Sequence, residues 1–263
     1  MNVKTEAAPQ KATPTVGLLV TCLVDVFRPQ VGFAAVRLLE DAGCRVAVPE
    51  TQTCCGQPAF NSGARADAKA IAKQVVETFE GFDYVVGPSG SCISTLRCHY
   101  PELLADEAEW RQRAEAFAGR CHELMRFLTD VMGVERVTAQ YAARATYHDS
   151  CSGLRELGIR HQPRNLLASV QGLALRELED SDACCGFGGT FCVKYPEISE
   201  RMVSDKVAGI QAVDAEVLLG GDLGCLLNIG GRLRRLGSPV RVFHAAEVLA
   251  DMTDGPAIGE PEK

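Results

Sequence analysis

Cys54-Cys55-Gly56-Gln57-Pro58-Ala59-Phe60-Asn61-Ser62-Gly63 carries the adjacent cysteine pair, and the glycine behind it, on which the reading of this 263-residue chain turns. The same triplet returns 130 residues later as Cys184-Cys185-Gly186. Outward from each triplet the match continues. Cys22 and Cys151 lie 129 residues apart, Cys92 and Cys225 lie 133 apart, and Gly87 and Gly220 each stand five residues before the last cysteine of their set. Thiols and glycines kept in step over such a distance indicate duplication of one folded unit; the period is too long for a solenoid repeat and suits a small domain.

Inside each unit short apolar runs alternate with helical patterns. In the first, residues 15–20 read as a buried strand ending at Cys22, 29–42 as a helix stopped by Gly43, and 45–48 as a strand. A helix over 62–79 with Ser62 as its N-cap follows, then a strand at 84–86 that runs into the Cys92 loop. The second unit repeats this order with strands at 145–148, 173–178 and 217–219 and helices after Pro163 and over 198–213. The pattern predicts an α/β fold of two tandem, pseudo-symmetric Rossmann-like units, each a parallel sheet flanked by helices with right-handed crossovers. Residues 15–140 and 141–252 are the expected units, between disordered tails at 1–14 and 253–263. Ligand groups in such sheets gather beyond the carboxyl ends of the strands, and Cys22, Cys92, Cys151 and Cys225 all follow strand runs.

Composition narrows the chemistry. A net charge of −7 and the lack of any long Lys/Arg block argue against nucleic acid as a partner. The apolar run 16–24 is interrupted by Thr21 and falls far short of the ~20 residues that span a bilayer, and 1–14 has no apolar signal core. A cytoplasmic chain with no transmembrane segment is therefore expected. Its twelve cysteines then point to metal or redox chemistry, because reducing compartments keep thiols free.

Thiolates are soft ligands suited to iron–sulfur clusters, zinc or copper(I). Adjacent cysteines chelate one tetrahedral zinc poorly, whereas a multinuclear cluster offers each sulfur its own iron. Cys22, Cys54, Cys55 and Cys92, and again Cys151, Cys184, Cys185 and Cys225, are the expected ligands of an iron–sulfur cluster, [4Fe–4S] in the simplest case and one or two per chain. Zinc in a structural or regulatory scaffold is the competing reading. Cys44, Cys98 and Cys121 read as small buried hydrophobes, while Cys192, seven residues beyond Cys185, is within reach of the same loop. His148, Asp149, Asn61 and Lys194 flank the cysteine motifs and are candidates to orient a carboxylate or relay protons. No G-x-G-x-x-G follows a strand, so a dinucleotide site is not indicated.

Cys22-x31-Cys54-Cys55-Gly56-x35-Cys92 and its second copy resemble the cysteine-rich CCG domain of heterodisulfide reductase B subunits and related iron–sulfur oxidoreductases. Thr21-Cys22-Leu23-Val24-Asp25, Pro88-Ser89-Gly90-Ser91-Cys92, Cys184-Cys185-Gly186-Phe187-Gly188-Gly189-Thr190-Phe191 and Gly224-Cys225-Leu226-Leu227-Asn228-Ile229-Gly230-Gly231 are similar to the lactate-utilization branch of that family. The resemblance covers about residues 15 to 250. It implies a subunit of a complex that oxidises L-lactate, or another 2-hydroxy acid, to the 2-oxo acid and passes electrons onward. Companion lactate-utilization subunits, one of them ferredoxin-like, are the implied partners. The heterodisulfide reductase pattern ends each copy in Cys-x-x-Cys, whereas here Ile93-Ser94-Thr95 and Leu226-Leu227-Asn228 follow the last cysteine. That departure weakens the case for a five-cysteine noncubane cluster and for disulfide reduction, and leaves four-thiolate ligation open.

Overall fold

Four strands build each of two parallel sheets in the computed structural model, which describes residues 13–260. The tail expected over 1–14 lies almost wholly outside the described residues. The first sheet holds β1 (Thr15–Leu18), β2 (Arg45–Ala47), β3 (Tyr84–Gly87) and β4 (Cys121–Glu123) in the order β2-β1-β3-β4. The second repeats it with β5 (Gln140–His148), β6 (Gln171–Arg176), β7 (Val217–Gly220) and β8 (Arg241–His244) in the order β6-β5-β7-β8. All pairings are parallel. β1, β3 and β7 are short, mainly apolar runs, Val217-Leu218-Leu219-Gly220 being buried throughout, and the longer β5 is buried over its last four residues.

This order matters for the site. Strand order reverses between β1 and β3, and between β5 and β7, so the loops leaving those strands diverge and open a crevice at the carboxyl edge. Cys22 begins the helix Cys22–Phe27 after β1, and Cys92 lies in the helix Gly90–Ser94 after β3. Cys151 and Cys225 hold the matching places after β5 and β7.

Several boundaries differ from the sequence reading. Ser62 does not start the long helix: it closes the short helix Gln57–Asn61, and Arg65–Phe79 begins only after Gly63 turns the chain at φ +79°. The last strand of each sheet went unread, because Cys121-His122-Glu123 is three residues long and polar and β8 opens on an exposed arginine. β5 begins at Gln140, with a bulge before Ala143, so the unit boundary drawn between 140 and 141 falls at its first residue. The C-terminal tail expected to be unstructured from 253 packs over 253–260. Ala257 and Ile258 are buried, and the Ile258 amide donates to Val242 O at 2.8 Å beside the helix Leu223–Arg235.

The two sheets share a core. Val16, Leu18 and Val86 belong to one apolar cluster with Ala145, Tyr147, Leu219 and Phe243, and the helix Ala245–Leu249 packs on Pro29–Asp41. Each of the valine, leucine and phenylalanine side chains among them, fully buried, contributes about 1.5–3 kcal/mol. Arg28 crosses between the units to Glu247 at 2.8 Å and donates to Pro256 O at 2.7 Å.

Glu123 ends β4 in the interior. Burial pushes its carboxyl up to about 7, against the opposing pull of the Arg126 and Met125 amides. A raised folded-state value means that stability is fully present below about pH 4.5 and is lost as pH rises through about 7. Glu123→Gln keeps an oxygen for the Arg126 amide and removes the titration. The variant is expected to gain up to about 3 kcal/mol over the parent at pH 8 and almost nothing at pH 4.5. Denaturant midpoints at the two pH values check this; a gain independent of pH would contradict it.

Candidate metal centres

The thiols of the first group lie together. Cys22 Sγ lies 3.7 Å from Cys54 Sγ, and Cys54 and Cys92 both act on the Cys55 thiol, so the four sulfurs share one neighbourhood. Local chemistry sets each one in place. Thr21, held at φ +72°, accepts from the Val24 amide and starts the Cys22 helix, while Ser89 accepts from the Cys92 amide at 3.2 Å and starts the next. Gly56 turns at φ +80°, where a side chain is strained and a Cβ would meet Ile71 Cγ2 at 3.1 Å. Tyr100 donates its hydroxyl to Cys55 O at 2.8 Å.

The second group repeats the arrangement. Cys184 acts on the thiols of both Cys151 and Cys185, and Cys185 Sγ and Cys225 Sγ lie within 4.8 Å of each other. The amides of Gly186 and Phe187 point at Cys184 Sγ (3.4 Å) and Cys185 Sγ (3.5 Å). Gly186 has φ +79°, and a Cβ there would sit 2.8 Å from Ser199 O. Asn228 Nδ2 holds Cys185 O at 2.8 Å, as Tyr100 holds Cys55 O.

The electrostatics of these sulfurs is set by sulfur and burial. A hydrogen bond from Cys22 and another from Cys55 hold Cys54 well below the usual thiol range, and the same contact drives Cys22 up. Hydrogen bonding to Cys184, then burial, pushes Cys151 up. No Lys or Arg figures among the leading influences on Cys22, Cys54, Cys55, Cys151, Cys185 or Cys225. Several thiolates at such spacing repel one another unless a cation is supplied, so the donor set fits a bound metal or iron–sulfur group.

His148 adds a nitrogen to the second group. One ring nitrogen, Cys185 Sγ and Cys225 Sγ lie within 4.8 Å of one another. Burial pushes the imidazole down to about 3, so it is neutral. Its neighbour Asp149 is taken up by Arg164 at 2.9 and 2.8 Å and serves the fold.

The two groups meet between the units. Asp222 starts the Cys225 helix, yet its carboxylate crosses to accept from the Ser89 hydroxyl (3.1 Å) and the Ser91 amide (2.9 Å) beside Cys92. A Cβ on Gly90 would meet Gly153 Cα at 3.0 Å, which shows how closely the loops pack. A cavity of about 180 Å³ has Cys22, Cys54, Cys55 and Cys92 in its wall together with Phe187 and Asp222 of the other unit. A wider one, about 450 Å³, is lined by Cys184, Asn61, Phe191, Lys194 and Tyr195.

The other cysteines stand apart. Cys44 and Cys121 are buried, the latter donating to Phe117 O; Cys98 is exposed, which corrects the buried reading, and the Cys192 thiol faces Gly189 O at 3.7 Å. Asp222, Phe187 and Tyr100 were not foreseen. Only Asp222 left a signal in the sequence, since it occupies the repeat position of the N-cap Ser89, three residues before its cysteine.

Two like α/β units, each with four thiols gathered at the carboxyl edge of a parallel sheet, define a duplicated cysteine-rich protein suited to holding metal or iron–sulfur groups. The chain matches the cysteine-rich domain (CCG) over residues 16–97 and 145–230. It is 51% identical over 234 residues to lactate utilization protein A of Halalkalibacterium halodurans, covering 89% of this chain and 96% of that one. Against lactate utilization protein A of Bacillus subtilis the identity is again 51%, over 89% and 98% of the two chains. The chain therefore belongs to the cysteine-rich CCG family and, within it, to the lactate utilization protein A family. A solved Helicobacter pylori structure described as a hypothetical protein superposes with a TM-score of 0.60 at 13% identity. It covers 98% of this chain, which spans half of that one, and the likeness bears on the fold alone. No helix among the described residues is long and apolar enough to cross a membrane.

Proposed function

We propose that this chain is the iron–sulfur subunit of a cytoplasmic complex that oxidises L-lactate, or a related 2-hydroxy acid, to the 2-oxo acid without a nicotinamide cofactor. Companion lactate-utilization subunits, one of them ferredoxin-like, would exchange electrons with it. The observation that carries the reading is the pair of four-sulfur groups, in which neighbouring sulfur and burial dominate the electrostatics of Cys22 and Cys151, in a chain whose relatives bear the lactate utilization name. Bound clusters, in the simplest case one [4Fe–4S] per group, would accept and release electrons singly.

The chain's own residues set the conditions for that transfer. Cys22, Cys54, Cys55 and Cys92 hold one group, and Cys151, Cys184, Cys185 and Cys225 the other. Amides at Gly186 and Phe187 donate to sulfur and draw off negative charge, which raises a reduction potential. Asp222 fixes the Ser89–Ser91 loop, so the helix bearing Cys92 keeps its place against the second unit. Lys194 and Asn61 line the wider cavity beside Cys184 and offer a cation and an amide to a carboxylate.

The test is growth on L-lactate as sole carbon source after deletion of the gene, in a strain with no second lactate route. Growth is expected to stop, and to return with the intact gene but not with one encoding Cys55→Ser. Undiminished growth of the deletion strain would contradict the proposal.

A further inference from the structure

His148 closes β5 at the second centre, is 1% exposed, and has no hydrogen-bond partner at either ring nitrogen. Buried polar groups in native proteins are almost always paired, and an unpaired one calls for a partner that the protein's own atoms do not provide. Sulfur lies close by: one ring nitrogen of His148, Cys185 Sγ and Cys225 Sγ are within 4.8 Å of one another. Lys206, the cation nearest in influence, is already committed to Asp180 O and Ser181 O at 2.8 and 3.0 Å. A neutral imidazole always carries one N–H donor.

Among the described residues the first centre has no such unpaired imidazole. β1 pairs with β3 so that Leu18 faces Val86, which puts Leu19 opposite Gly87, as His148 stands opposite Gly220. A Cβ on Gly87 would meet Leu19 O at 3.1 Å, and one on Gly220 would meet His148 O at 3.3 Å. Leu19 is thus the structural counterpart of His148, packed in an apolar cluster with Cys55. Matching thiol sets face different walls.

We propose that His148 donates a ring N–H to a sulfur of the iron–sulfur group held by Cys151, Cys184, Cys185 and Cys225, making that centre easier to reduce than its thiols alone would. The assignment rests on the iron–sulfur reading above. Four thiolates already supply one ligand to each iron of a four-iron cluster, so the imidazole is left to act as a hydrogen-bond donor and positioning residue. A hydrogen bond to sulfur withdraws charge and raises the potential. The asymmetry between Leu19 and His148 then biases an electron on this chain toward the second centre.

The test uses the full chain, purified without oxygen, assayed for iron, sulfide and zinc, and titrated by electron paramagnetic resonance. His148→Leu is expected to lower one reduction wave by a tenfold change in its one-electron equilibrium, which is 59 mV. The other wave and the iron and sulfide content should not move. In the ¹⁵N-histidine-labelled parent, pulsed measurements are expected to find a weakly coupled nitrogen that the variant lacks. Leu19→His, which leaves the second centre untouched, should raise the other wave. If His148→Leu does not retain iron, the labelled parent and Leu19→His decide the matter. Absence of a coupled nitrogen, a coupling as large as that of an iron-bound imidazole, or unmoved waves with iron retained would each overturn the role of His148 alone. Zinc without sulfide in the parent would overturn the iron–sulfur reading itself and His148's role with it.

Discussion

Serine at position 55 is expected to empty the first centre while the second stays loaded, so that iron and sulfide bound per chain fall by about half. Cys55 is 3% exposed and both Cys54 and Cys92 act on its thiol, so it sits in the middle of the group. A serine hydroxyl does not ionise at neutral pH and is a hard, poor donor to iron, and its shorter bond draws it away from the metal. The backbone should survive, because Tyr100 holds the carbonyl at 55 and not the side chain. Cys185→Ser is the reciprocal case and should empty the second centre. Cys44→Ser, in a buried thiol outside either group, should leave the iron content unchanged. Iron and acid-labile sulfide assays on the three variants check this. Full iron content in Cys55→Ser would show that position 55 is not a ligand.

The largest loss of stability is expected from Arg28→Ala. Glu247 is wholly buried, its carboxyl pushed up by burial and pulled back by Arg28, and it also accepts from the His244 amide at 2.9 Å. Removing the guanidinium leaves an uncompensated carboxylate in the interior and strips Pro256 O of its donor, at a cost of about 3–5 kcal/mol. Because Arg28 belongs to the first unit and Glu247 to the second, the cost falls on their association as well as on either core. Arg28→Ala combined with Glu247→Gln should recover part of the loss, since the buried charge is then gone. Equilibrium denaturation of the parent and both variants measures this; a loss below about 1 kcal/mol in the single variant would mean that the pair does not tie the units together.

How far these features were legible depends on whether their causes are local. The repeat was legible because eight thiols and four glycines keep their spacing, and β1, β3 and β7 because burial along the strand writes an apolar run. β4 and β8 left no such trace: one is Cys121-His122-Glu123, and the other owes its place to the neighbouring β7. Ser62 misled because serine suits either end of a helix turn, and the positive φ of Gly63 moved the start three residues on. Asp222 was unreadable as a bridge, since its partners Ser89 and Ser91 lie more than 130 residues away in the chain. His148 was visible as a polar neighbour of Cys151, but its burial and its unpaired ring follow only from the way β5 runs into the second centre. The C-terminal segment read as disorder from its glycines and prolines, although two apolar residues, Ala257 and Ile258, suffice to seat it.

The claim on which the rest depends is that two four-thiol groups hold iron–sulfur clusters. Purification of the full chain without oxygen, followed by iron, sulfide and zinc analysis, tests it most directly. The expected result is iron and sulfide in equal amounts, about eight of each per chain if both centres hold a four-iron cluster, with little zinc. Stoichiometric zinc without sulfide would contradict it.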